Sequence, residues 1–107
     1  MYRLFVTNDV HAAKDEYDRT LAAAREKLRK VLEEAEKEYQ KAREAAIAKF
    51  VKGGIPTDEY EKVMIVAQEE NYRVVQAAQG EYEKEYKEAW DKYTNALKGA
   101  QDQPGEN

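Results

Sequence analysis

Apolar residues return every three or four positions through two long stretches of this chain, and that spacing predicts two amphipathic helices and no strands. A longer interval lies on top of it. In the first stretch Tyr17, Leu28, Tyr39 and Phe50 recur eleven apart, as do Leu21 and Leu32, and the row Ala13, Ala24, Ala35 and Ala46. In the second the same interval relates Val63 to Val74, Met64 to Val75, Tyr86 and Leu97, and the row Ala67, Ala78, Ala89 and Ala100. Eleven residues in three turns is about 3.67 per turn, slightly above the natural 3.6. The helices are therefore expected to pack nearly straight or with a slight right-handed twist, not as a heptad coiled coil.

The strong breaker is Gly53-Gly54-Ile55-Pro56. It divides a first helix of about residues 9–52, capped at Asn8 or Asp9 and closed by Gly53 or Gly54, from a second of about 57–98, capped at Thr57. Asp58 and Glu59 would then meet the positive end of the second helix. Each helix is roughly 40 residues, or on the order of 60 Å at 1.5 Å per residue. Ala, Glu, Lys, Arg and Gln dominate both, and pairs such as Glu26 with Lys30, Glu33 with Lys37, Glu83 with Lys87 and Glu88 with Lys92 stand in the favourable i,i+4 orientation. Gly80 interrupts the second helix and implies either a close backbone neighbour or a slight bend. Residues 1–8 read as an apolar arm, 9–100 as the hairpin and 101–107 as a disordered tail.

The Ala rows predict a register. Folded back about the central turn, Ala46 meets Ala67, Ala35 meets Ala78, Ala24 meets Ala89 and Ala13 meets Ala100, so that facing residue numbers add to 113. Bulky layers fall between them: Phe50 near Tyr60 and Met64, Tyr39 near Val75, Leu28 near Tyr82 and Tyr86, Tyr17 near Tyr93 and Leu97. The basic stretch Arg25, Lys27, Arg29 and Lys30 falls opposite Glu81, Glu83, Glu85 and Glu88. The fold class is thus all-α, a long antiparallel two-helix hairpin with an eleven-residue apolar period. Two helices bury one narrow stripe each and leave much surface wet. A third and fourth helix are therefore expected, most simply from a second copy that completes a four-helix bundle by dimerisation, or else from a different protein.

Composition narrows the chemistry. Among 107 residues there is no Cys, a single His, and, on reading the sequence through, no Ser. Ser-His-Asp and Cys-His catalysis, thiol redox chemistry, structural zinc and disulfides are thereby excluded. His11 lacks a second His or Cys at ligand spacing, and the carboxylates alternate with Lys and Arg along solvated faces. No catalytic, cofactor-binding or metal-binding residue is assigned, no small-molecule substrate is expected, and the chain reads as a non-enzyme. Eighteen Lys and Arg against 22 Asp and Glu give a net charge of −4, and acidic residues interleave the basic stretch, so nucleic acid is not an expected partner. The apolar run Tyr2–Val6 is too short for a signal peptide and nothing approaches a membrane span. A soluble, cytoplasmic protein is expected, with signal-independent export left open.

Interface candidates are the apolar residues that the core stripe does not use. Tyr2, Leu4 and Phe5 form the arm, which either folds over the open end of the hairpin or docks on a neighbour as a short strand or hook. Ile65 and Tyr72 lie off the stripe and Trp90 on its shoulder. The leading expectation is a non-enzymatic protein–protein interaction module, an adaptor, scaffold or inhibitor of a larger complex, whose partners are its own second copy and another protein.

Two resemblances offer alternatives. In length, acidity and helical-hairpin layout the chain resembles the WXG100 (ESAT-6-like) secreted family, which implies export and dimerisation. The family's Trp-x-Gly turn is here Phe50-Val51-Lys52-Gly53-Gly54, and no Tyr-x-x-x-Asp/Glu signal follows the second helix. The eleven-residue repeats with Ala, Lys and Glu also resemble apolipoprotein-like and late-embryogenesis-abundant sequences, which implies lipid-surface or stress-protective binding.

Overall fold

The computed structural model describes the backbone of residues 2–102 and the side chains of residues 9–99. Among these the chain is all-α: helix α1 spans Tyr2–Val51 and helix α2 spans Thr57–Asp102. The first helix starts seven residues earlier than Asp9, so the backbone of the expected arm belongs to α1 and is neither strand nor hook. The reason is that residues 2–8 hold no Gly or Pro, and extending an existing helix needs no new nucleus. The side chains of Tyr2, Leu4 and Phe5, and the tail residues 103–107, lie outside the described residues.

The end of α1 is fixed by glycine. Gly53 adopts φ of 73°, in the left-handed region. Its N–H donates to the Phe50 carbonyl and the Gly54 N–H to the Lys49 carbonyl, each at 2.9 Å. These two bonds make a Schellman closure with Gly53 as the residue past the cap. A Cβ on Gly54 would stand 3.3 Å from the Lys49 carbonyl oxygen, so both glycines are used. At the start of α2 the Tyr60 N–H donates to the Pro56 carbonyl at 3.0 Å. Pro56 is therefore the cap residue, and Thr57, expected in that role, takes the first helical position. Pro56 suits the place because its missing N–H would have had no partner there. Asp58 and Glu59 occupy the first turn as expected.

The helices pack in two compact units. In the unit Leu28–Gly80, the end of α1 and the start of α2 form an antiparallel hairpin about the turn, with Phe50 against Tyr60 at a ring separation of 4.8 Å. Counting back from that contact along each helix puts Ala46 level with Met64 and Ala35 level with Val75. In the other unit, residues 9–27 pack antiparallel on residues 81–99, with Tyr17 stacked on Tyr93 at 5.2 Å. The same counting puts Leu21 level with Ala89. The two ring contacts thus join residues whose numbers add to 110, and the other cross-helix contacts give sums between 106 and 112, all below the 113 of the expected Ala-on-Ala layers. The side chain of Ala100, the expected partner of Ala13, lies outside the described residues.

Large against small fills interaxial space more evenly than layers of Ala alternating with layers of Tyr. Leu21, Ala24, Ala35, Ala46 and Ala89 form the buried core among the described residues, and Leu21 is the largest of them. No polar side-chain atom of the described residues is buried without a hydrogen-bond partner. A Cβ on Gly80 would meet nothing within 4 Å, so no neighbouring backbone requires that glycine.

Candidate interaction surfaces

Five aromatic rings gather in the unit that holds the chain ends. Tyr17 of α1 stands in the middle of the group, stacked on Tyr93 and edge-on to Trp90 at 5.8 Å. Trp90 and Tyr93 meet at 6.0 Å, and Tyr82 and Tyr86, one helical turn apart on α2, meet at 6.4 Å. Each such contact adds about 0.5–1.5 kcal/mol beyond its burial. Partial burial pushes the Tyr17 phenol above its ordinary value, and hydrogen bonding to Tyr86 pushes it further. Arg25 lies along this surface, its Nε donating to the Tyr82 hydroxyl at 3.4 Å, a bond that also holds the guanidinium firmly protonated. Trp90 nevertheless keeps 46% of its surface exposed and Tyr86 43%.

The expected charge complement is present in part. Lys27 pairs with Glu85 across the helices at 3.1 Å. Lys92 reaches Glu16 on α1, where its i−4 neighbour Glu88 was expected to hold it. Arg29 pairs with Glu33 and Glu33 with Lys37 along α1. Arg25, Lys27 and Arg29 of the basic stretch thus each contact a group of the chain's own. All these pairs lie at the surface and add little to stability. His11 is exposed on α1, and among the described residues no group of three or more His, Asp or Glu stands close enough to hold a metal ion. Among them, too, no helix is long and apolar enough to cross a membrane.

The predicted interface residues separate. Trp90 belongs to the aromatic group, whereas Ile65 and Tyr72 lie in the Leu28–Gly80 unit. These two, seven residues apart, share the face of α2 turned away from α1, and are 51% and 67% exposed.

Asn71 escaped the sequence reading. Partly buried on the contact face of α2, it donates from Nδ2 to the Ala35 carbonyl of α1 at 3.2 Å. The signal was present: Tyr60, Tyr82 and Tyr93 share an eleven-residue row in which position 71 alone is not aromatic. An amide there gives the hairpin a directional cross-helix bond that an apolar side chain would not, and it leaves the space of a ring unfilled.

No family model, curated protein or solved structure matches this chain.

Proposed function

We propose that this chain is a non-enzymatic protein–protein interaction module, an adaptor, scaffold or inhibitor of a larger complex, that acts as a homo-oligomeric helical hairpin. One observation carries the reading. Among the described residues the buried core is one Leu and four Ala, while Val51, Val63, Ile65, Val66, Tyr72, Tyr86 and Trp90 all remain exposed. Apolar and aromatic surface on this scale is stabilising only when something covers it. Trp and Tyr, moreover, are the side chains that contribute most at interfaces.

Self-association as a four-helix bundle is the simplest cover. The eleven-residue period supports it, since buried Ala24, Ala35 and Ala46 stand at that interval, and nearly straight helices let a second hairpin lie alongside. The surfaces left over then engage a different protein. Light scattering behind size exclusion, over a wide concentration range, tests this. A dimer or larger assembly that Trp90→Lys or Ile65→Lys with Tyr72→Lys dissociates supports the proposal. A monodisperse monomer that also retains no protein from its native lysate overturns it.

A further inference from the structure

We infer that the hairpin of the Leu28–Gly80 unit holds, in the groove between its helices, an amphipathic helical segment of another protein that carries Lys or Arg beside its apolar face. The groove is a different surface from the aromatic one, so this inference does not depend on dimerisation. Its origin is the short side chain of Asn71, which folds onto the Ala35 carbonyl where a ring would have filled the space. The floor and walls are Val31, Ala35, Tyr39, Ala42, Ala67 and Val74, and the cavity is about 520 Å³. That volume lies within the range of roughly 300–1,000 Å³ typical of apolar binding clefts.

Helical spacing carries the apolar strip beyond the groove along α2. Val63 and Val66 precede Ala67, Glu70 and Val74 at helical spacing, and are 40% and 63% exposed. From Val63 to Val74 the strip measures roughly 16 Å at 1.5 Å per residue, or three turns, which matches a guest helix with apolar residues at i, i+3, i+4 and i+7.

Charge selects the guest. The charged residues that line the cavity are Glu34, Glu38 and Glu70, all acidic. Glu38 meets Lys41 at 3.8 Å and Glu70 meets Arg73 at 2.9 Å, in exposed pairs whose exchange for an incoming cation costs little. A second copy laid groove to groove would set the same three carboxylates against their own images, which repel. A basic amphipathic helix meets both the apolar floor and the acidic rim.

The test is calorimetric titration of the intact chain with two helical peptides of about 14 residues, one of Leu and Lys and one of Leu and Glu with the same apolar pattern. The Leu/Lys peptide is expected to bind and the Leu/Glu peptide not. Ala67→Leu, which fills the floor, should weaken binding roughly tenfold or more, as should Glu34→Lys with Glu70→Lys on the exposed rim. Trp90→Ala should leave it unchanged. Circular dichroism verifies that each variant is folded, and the rim variant carries the test if Ala67→Leu is not. Failure of the Leu/Lys peptide to bind overturns the inference. So does binding that both groove variants leave intact, which would be general attraction to an acidic protein, or a fall in oligomer mass on Ala67→Leu, which would make a second copy the occupant.

Discussion

Exchanging Leu21 and Ala89 tests the packing of the chain-end unit directly. Leu21 is 6% exposed and Ala89 is buried on the other helix of the same unit, and the register set by Tyr17 stacked on Tyr93 brings the two level. Leu21→Ala removes about three carbons at roughly 0.8 kcal/mol each and leaves a void that Ala89 is too small to fill, so a loss of about 3 kcal/mol is expected. Ala89→Leu alone crowds the same layer and should cost about 1–3 kcal/mol. Together the two restore the layer's volume with its sides reversed. The double variant should therefore be more stable than the sum of the single losses by about 2–3 kcal/mol, the size of coupling found between touching core residues. Urea unfolding followed by helical ellipticity measures all four proteins, at one protein concentration because association is linked to stability. A double variant whose loss equals the sum refutes the register, since in the 113 register Ala89 would face Ala24, and a Leu at 89 would gain nothing from the change at 21.

Three further outcomes follow from single sites. Gly53→Ala places a Cβ on a residue with φ of 73° and should cost about 1 kcal/mol in thermal or urea unfolding, an unchanged midpoint arguing against the Schellman closure. Gly80→Ala should do the reverse and stabilise by up to about 1 kcal/mol, because the new methyl enters open space within a helix; destabilisation would mean that the position is in contact in solution. The raised phenol pKa of Tyr17 means that the unfolded chain loses this proton first, near the ordinary 10.0. The stability it provides is full below that pH and is lost as pH rises through the higher folded value. Tyr17→Phe should accordingly flatten the alkaline fall in melting temperature, and parallel curves for the two proteins would show that Tyr17 is not its source.

Helices and turn were legible because their signals are local: Gly53, Gly54 and Pro56 terminate, and good helix formers surround them. The start of α1 was misplaced because Asn8 and Asp9 resemble caps, yet nothing before them stops a helix. Register is harder, for a physical reason. With Ala, Leu and Tyr all recurring every eleven residues, sliding one helix by about one turn again brings a stripe onto a stripe. Apolar pattern alone therefore accepts Ala24 on Ala89 as readily as Leu21 on Ala89. Space-filling decides between them. The Tyr17–Tyr93 and Phe50–Tyr60 contacts, both named from sequence, already imply the 110 register and so conflict with the Ala pairing. Asn71 could have been read as an interruption of a Tyr row, but the groove beside it depends on where the amide points, which the sequence does not state.

The aromatic surface around Trp90 and the groove differ in chemistry, and that difference gives a way to tell association at one from association at the other. Around Trp90 the exposed area is mostly ring, and the charges beside it are already matched, Arg25 on Tyr82 and Lys92 on Glu16, so contacts there gain chiefly from apolar and ring burial. At the groove, carboxylates of Glu34, Glu38 and Glu70 border an aliphatic floor, so a cationic partner gains from exposed charge that salt screens, with a Debye length of about 10 Å at 0.1 M and 3 Å at 1 M. Self-association through the aromatic surface should persist or strengthen when sodium sulfate is raised toward 1 M, whereas binding of a basic helix in the groove should weaken severalfold. Light scattering and peptide titration in the same salt series follow the two events separately. If dimer mass falls with salt while peptide affinity holds, the assignments are reversed: charge pairs such as Lys92–Glu16 would then lie at the dimer contact, and the groove would recognise apolar shape alone.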